Sequence, residues 1–267
     1  MNKNNKKDYS ILDDLEIKNI DSKRIKKFDH SKKMAAIESV FDERTFILLN
    51  KLLTNGKLKE FHGIISAGKE ANIYLANDNE GNEVALKIYK IDTNTSKWMR
   101  NYIIGDPRFK KIPTNISKII FLWASKEFKN LKRAYKAGLS VPEPILVKNN
   151  LLIMEYIGYE SSPAPKLKDV KDLIDANEIF QKILDFIKNL YQKANLVHGD
   201  LSEFNILYHN QNPVVIDISQ AVDIEHPKAE VFLVRDIKNI FNFFERLGII
   251  TPDPEEFYYD IIKKNKL

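Results

Sequence analysis

One stretch limits this chain more than any other. His198-Gly199-Asp200-Leu201-Ser202-Glu203-Phe204-Asn205 is followed by Val214-Val215-Ile216-Asp217. Asp200 comes just after a long segment of helical apolar spacing, Asn205 lies five residues on, and Asp217 closes an apolar run. Such a run reads as a buried strand, and a carboxylate at its end can face a cleft. A carboxylate, an amide oxygen and a second carboxylate in this order meet the needs of phosphoryl transfer. One group orients an attacking hydroxyl, and hard oxygen ligands hold magnesium. A single aspartate at a strand end is normally a turn former. The joint spacing is much harder to reach by chance and points to function.

The first half of the chain offers matching parts. Lys87 sits in Val84-Ala85-Leu86-Lys87-Ile88, alternating with apolar neighbours. A lone lysine in a strand usually faces solvent; in this setting it is the type of residue that pairs with α- and β-phosphates. Its ion-pair partner is expected from the next helix, where Glu127 is the only acidic residue between Ile116 and Ala137. Ser66-Ala67-Gly68-Lys69-Glu70-Ala71 lies between two strand-like runs. It has one glycine rather than a GxGxxG loop, yet a Ser/Gly turn still presents backbone N–H groups to phosphate oxygens. Met154–Ile157 fits a hinge between two halves, with backbone groups of Glu155 and Ile157 placed to bind adenine.

The coarse order of elements supports a cleft. Apolar residues from Met34 to Leu53 recur at helical spacing, and Asn55-Gly56 ends them. Phe61–Ser66, Glu70–Ala76 and Glu83–Lys90 read as strands, and Ile145–Lys148 with Leu151–Tyr156 as a hairpin. Together they predict a five-stranded sheet. Ile116–Ala137 reads as a helix stopped by Gly138. The basic segment 92–115, with Gly105-Asp106-Pro107, reads as a long loop. After Gly158 the chain turns helical, over Asn177–Ala194, Ala229–Leu247 and Glu255–Lys264, with short strands at Ile206–Tyr208 and Val214–Asp217. A β-rich half before an α-rich half predicts an α+β fold of two lobes. The expected organisation is a basic polar tail over 1–33, an N-terminal lobe over 34–156 with a leading helix and the flexible loop 92–115, and a C-terminal lobe over 157–267.

At these residues a family resemblance emerges. Ser66-Ala67-Gly68-Lys69-Glu70-Ala71-Asn72-Ile73-Tyr74 resembles the phosphate loop of the RIO family of atypical serine/threonine kinases, most of all its type-1 branch. Trp123-Ala124-x-Lys126-Glu127-Phe128-x-Asn130-Leu131, Pro142-x-Pro144, Asp217-Ile218-Ser219-Gln220, His226-Pro227-x-Ala229-Glu230 and Arg235-Asp236 are similar as well. The resemblance implies a protein-kinase-like fold: an N-lobe of antiparallel sheet plus helix, a mainly α C-lobe and a truncated activation segment. It implies ATP as substrate and magnesium, or manganese in its place, as cofactor. Asp200 is then the base and Asp217 a metal ligand with Asn205. Ser66, Lys69, Lys87, Glu127, Glu155 and Ile157 serve ATP.

Departures from ordinary protein kinases sharpen this expectation. His-Gly-Asp replaces His-Arg-Asp, Asp217-Ile218-Ser219 replaces Asp-Phe-Gly, and no Ala-Pro-Glu follows. The usual platform for a peptide substrate is therefore missing. In the resembling family that pattern goes with maturation of the small ribosomal subunit and with ATP turnover in which the metal-binding aspartate accepts phosphate. The implied partner is a pre-small-subunit particle of rRNA and ribosomal proteins. In the segment 92–115, Arg100, Arg108, Lys110 and Lys111 are candidates to contact RNA or cover ATP, and Thr93, Thr95 and Ser96 are candidate autophosphorylation sites.

Composition narrows the classes further. The chain has 267 residues, 43% apolar and 30% charged, as in ordinary globular proteins. No run approaches the ~18 apolar residues of a membrane span, and the first residues lack the apolar core of a secretory signal. Without cysteine there is no disulfide or thiolate zinc site. A cytoplasmic monomer is expected. The formal charge is +5, of which residues 1–33 carry ten basic and six acidic groups. A basic arm can meet nucleic-acid phosphates, but the preferred reading is a solvated, poorly ordered tail. Two other functions use similar parts: a small-molecule kinase of the aminoglycoside or choline type, and an RNA-bound assembly factor in which ATP is only a switch. The small kinase associated with tRNA modification also shares His-Gly-Asp. The phosphate loops of these small kinases differ from Ser66–Tyr74.

Overall fold

The computed structural model describes residues 42–170 and 175–263. The predicted tail 1–33 and the start of the predicted helix at Met34 lie outside them. Two compact units meet in sequence between Leu49 and Asn50. Helix α1, Glu43–Thr54, is capped by Asp42, whose Oδ2 accepts from the Thr45 hydroxyl at 2.6 Å. All that follows concerns the second unit.

Five antiparallel strands form its sheet. They are β1 (Leu58–Ala67), β2 (Ala71–Asp78), β3 (Glu83–Tyr89), β4 (Pro144–Lys148) and β5 (Leu151–Glu155), in the order β1-β2-β3-β5-β4. β3 is central, with Lys87 opposite Ile73 on one side and Leu152 on the other. It is buried along nearly its whole length, so its alternation of Val, Ala, Leu and Ile packs on both faces.

The segment predicted as a long loop is not one. Helix α2 runs over Thr93–Ile103, started by Asp92, whose side chain accepts from the N–H groups of Asn94 and Thr95. Thr95, Met99 and Ile103 recur at four-residue spacing and are buried. Trp98 and Tyr102 add an aromatic cluster, with ring centroids 5.3 and 6.1 Å from Trp123, and Tyr102 stacks on Phe232 at 5.2 Å. Charged and polar residues between these positions hid the stripe. Only 104–115 is irregular. Thr95 and Ser96 are buried in the first turn, where their hydroxyls bond Asp92 and the Thr93 carbonyl. They are not accessible phosphorylation sites, and Thr93 alone is exposed.

Helix α3, Ile116–Lys136, starts at the Asn115 cap and lies across the sheet, meeting β4 and β5. The short strands β6 (Gly158–Tyr159) and β7 (Ser162–Pro163) lead into the helical half. There Phe180 of α4 (Ala176–Gln192) lies 5.6 and 5.0 Å from the Phe241 and Phe244 rings of α5 (Ala229–Glu245), and Phe241 lies 5.7 Å from Phe257 of α6 (Pro254–Lys263). Two small ribbons carry the motifs: β8 (Leu196–Val197) pairs with β11 (Val222–Asp223), and β9 (Ile206–His209) with β10 (Asn212–Val215). The predicted strand Val214–Asp217 thus ends two residues early, and Asp217 turns out of it.

Candidate active site

A cavity of about 550 Å³ opens between the sheet and the helical half. Ser66, Lys69, Lys87, Glu155, Ile157, Asn205 and Asp217 all line it, so residues far apart in sequence meet at one place. Asp200 and Glu127, also predicted for the site, do not line it. Glu127 is fully buried behind Lys87, and Asp200 is exposed.

Lys87 is the centre of the arrangement. Its Nζ lies 2.8 Å from Glu127 Oε1 and 2.8 Å from Asp217 Oδ1. Burial alone would lower its pKa, but the carboxylates of Asp217 and Glu127 prevail and hold the ammonium above its ordinary value. The Tyr89 hydroxyl donates to the other oxygen of Glu127. Both Glu127 oxygens are thereby satisfied inside the protein, while burial raises its pKa against the pull of Lys87. Tyr89 had no predicted role. It is two residues from Lys87 on the same strand, and strand alternation places both on one face.

Asp217 has φ 57°, a left-handed backbone rare for residues other than glycine. Burial would raise its pKa, yet Lys87 and the Ser219 hydroxyl, which donates at 2.8 Å, bring it down to about 2. The chain beyond it is clamped from α3. Lys126 Nζ donates to the carbonyls of Ser219 and Ala221 at 2.8 and 2.5 Å. Asn130 Nδ2 donates to those of Ile218 and Ala221 at 2.8 and 2.9 Å. Arg108 joins in through Asn130 Oδ1 at 2.7 Å and grips Asp106. Arg100 is likewise spent on the Pro113 carbonyl at 2.9 Å. All three Arg108 nitrogens are thus committed inside the fold, whereas Arg100 commits only Nη2.

The loop carrying Asp200 is held from α5. Asp236 accepts from the N–H groups of Gly199 and Leu201 at 2.7 and 2.9 Å, and the Arg235 guanidinium donates to the Gly199 carbonyl. Burial lifts the Asp236 carboxyl to about 7. Gly199 has φ +80°, so the position that bears arginine in ordinary kinases here needs a residue without a Cβ. Asp200 accepts from Gln220 Nε2 at 2.8 Å. Desolvation raises its pKa, with Asp217 adding and Arg235 opposing. His198, beneath this loop, is buried and kept neutral, its pKa pushed down to about 4 by burial.

The turn of Ser66–Ala71 caps the cavity. Gly68 N–H closes it on the Ala71 carbonyl at 2.9 Å, and a Cβ on Gly68 would sit 2.8 Å from that oxygen. Glu70, unassigned from sequence, faces the same space. Burial and then Asp217 lift its carboxyl to about 7. At the hinge, Glu155 N–H is taken by the Glu143 carbonyl, and Ile157 O accepts from Ala164 N at 3.0 Å. Ile157 N–H bonds no described residue.

Comparison with known proteins agrees with this geometry. A family model described as the RIO domain matches residues 72–257. The RIO-type serine/threonine-protein kinase Rio1 of Haloferax volcanii is 43% identical over 79% of this chain and 72% of its own length. The human serine/threonine-protein kinase RIO1 is 40% identical over 84% of this chain but 40% of its own length. Among solved structures, the Rio2 kinase–ADP/Mg²⁺–phosphoaspartate complex of Chaetomium thermophilum aligns with a TM-score of 0.64 at 27% identity, over 82% of this chain and 65% of that one. The expected α+β, kinase-like fold is thereby shown. The chain belongs to the RIO family of serine/threonine-protein kinases, in its type-1 branch.

Proposed function

We propose that this chain uses ATP with magnesium to transfer the γ-phosphoryl group, and that it acts in maturation of the small ribosomal subunit in the cytoplasm. The observation that carries the chemistry is Lys87 bridging Glu127 and Asp217 at 2.8 Å each, at the wall of the cavity. Adenine sits at the hinge, bonded by Ile157 N–H and a Glu155 backbone group. Lys87 meets the α- and β-phosphates, while Ser66 and Lys69 of the turn close over them. Glu127 does not touch ATP; it holds Lys87.

The donors fit magnesium. Both bonds to Asp217 fall on Oδ1, leaving Oδ2 free among the described residues. Asn205 Oδ1 accepts one bond, from Ser202 N at 3.0 Å, and keeps a lone pair. Two protein oxygens suit an ion that takes its other ligands from water and phosphate. Magnesium, when bound, neutralises charge on the phosphates. Asp200, on the exposed side, accepts the proton of the incoming hydroxyl as its oxygen bonds to γ-phosphorus and the bond to ADP breaks. Where no such acceptor is present, Asp217 takes the phosphoryl group as an acyl phosphate, which water later hydrolyses.

Single-turnover labelling with γ-labelled ATP tests this. Label on the chain that is labile to hydroxylamine and absent in Asp217→Asn supports the acyl phosphate. Asp200→Ala should lose about 10²–10⁴-fold in turnover and keep ATP binding. Full activity in that variant, or rapid phosphorylation of an aminoglycoside, refutes the reading.

A further inference from the structure

Between residues 90 and 141 the chain carries twelve basic and three acidic residues. The fold uses up all three acids. Asp92 caps α2, Asp106 is gripped by Arg108, and Glu127 is buried between Lys87 and Tyr89. Several bases are also spent: Lys126 and Arg108 in the clamp, Arg100 on Pro113, and Arg133 on Asp223 at 2.8 Å. Six lysines remain.

Lys118, Lys129, Lys132 and Lys136 are all exposed on α3. At 100° per residue they fall within about 40° of one line along the helix. That line is roughly 27 Å long, from the rise per residue. Lys129 Nζ lies 5.3 Å over the Phe109 ring, which packs in one core cluster with Trp123 and Ile120 of α3. Lys110 and Lys111, next in the chain after Phe109, are exposed as well. None of the six forms an ion pair among the described residues.

We infer that this lysine face is a docking surface for the phosphate backbone of RNA. Unpaired like charges along a helix repel one another and destabilise it, and a polyanion removes that cost. The face is made of lysines, which act as point charges on phosphates without demanding a bidentate partner. It also lacks the buried aromatic anchor that a protein partner would need for affinity. The partner class rests on the ribosomal reading above; the face itself rests on charge and geometry.

The test uses the full chain and a fluorescein-labelled RNA stem-loop of about twenty nucleotides, read by anisotropy from 50 to 200 mM salt, where phosphate contacts dominate affinity. Each lysine that neutralises a phosphate contributes about 0.9 to the slope of log K against log salt. The variant K129E/K132E/K136E should flatten that slope by about 2–3 and weaken binding at least 10²-fold near 100 mM salt. ATP turnover without RNA should be unchanged. The charge-preserving variant K129R/K132R/K136R should bind as the parent does. A parent slope retained in the glutamate variant overturns the inference, and so does absence of RNA binding by the parent. Equal binding of polyglutamate also overturns it, pointing to an acidic protein instead. If the slope collapses but no phosphoryl transfer is found, the face stands and the catalytic reading falls.

Discussion

Replacing Lys126 with methionine isolates what holds Asp217 in its left-handed turn. Methionine matches the length of the lysine stem and cannot donate. The Ser219 carbonyl, now bonded at 2.8 Å, loses its side-chain donor, while Ala221 keeps Asn130 at 2.9 Å. Orphaning one buried carbonyl costs about 1–3 kcal/mol. Against this, Lys126 is itself fully buried, and desolvation holds its pKa well below the ordinary lysine value. Removing that burden offsets part of the loss, so a net destabilisation of about 1–2 kcal/mol is expected. Urea unfolding at neutral pH should show a lower midpoint at constant slope.

The same substitution has a signature in pH. The unfolded chain holds the Lys126 proton more tightly than the folded one, so stability rises with pH towards the ordinary value of 10.5. K126M should lack that rise. In activity, a loosened 218–221 segment leaves Asp217 less often in place. The turnover number should fall about 10-fold for each ~1.4 kcal/mol of lost placement, with a smaller change in KM for ATP. The second variant, Asn130→Leu, shares the Ala221 acceptor, so the two should be non-additive by about 0.5 kcal/mol or more. If K126M matches the parent in midpoint, pH profile and turnover, the clamp does not position Asp217 and the reasoning fails.

Three further substitutions probe the rest of the site. His198→Leu should flatten the acid limb of stability: burial holds the imidazole at about 4 against 6.5 in the open chain, so its contribution is present above 6.5 and lost as pH falls towards about 4. The lost contribution is about 3 kcal/mol, so the stability of the parent relative to the variant should fall by that amount between pH 7 and 4 in denaturant unfolding; a constant difference would refute this. Tyr89→Phe removes the donor to one oxygen of a fully buried Glu127, which costs about 1–3 kcal/mol and weakens its hold on Lys87. Turnover should drop while urea unfolding stays cooperative; an unchanged rate would show that Lys87 alone positions Glu127. Gly199→Ala places a Cβ at φ +80° and 3.4 Å from the Gln220 carbonyl, so about 1–2 kcal/mol of strain should appear in thermal unfolding, with activity falling more than stability. A neutral G199A would mean the loop relaxes freely.

Much of this was readable from the sequence because it lay in local spacing. The sheet strands, α3, α4 and α5 were found within a few residues, since each repeats apolar residues with a clear period. The pairing of Lys87 with Glu127 followed from there being a single acid on α3. Helix α2 was missed because its buried stripe of Thr95, Met99 and Ile103 is short, and Thr95 is polar. The clamp was missed for another reason. Lys126 and Asn130 were visible as motif residues, but their partners are backbone carbonyls about ninety positions away, and a carbonyl leaves no mark on sequence. Glu70 and Asp236 likewise stand in quoted motifs, but the sequence carries no sign of the burial that lifts their carboxyls to about 7.

These misses share a cause that says something about the site. Buried Lys87 and Lys126, the left-handed Asp217, and the raised acids Glu70 and Asp236 each break a local preference, and all gather around one cavity or its supports. Apolar residues of similar volume would serve stability at least as well as these buried charges. Chains place such conflicts where chemistry needs them and offset them elsewhere. In this one the offset is visible: Lys126, Asn130 and Asp236 spend their hydrogen bonds on the backbone that carries Asp217 and Asp200, not on the cavity itself. Short motifs alone would therefore not rebuild the site on another scaffold. The groups that touch ATP in our reading are few, and their positions depend on a larger set of residues that never reach it.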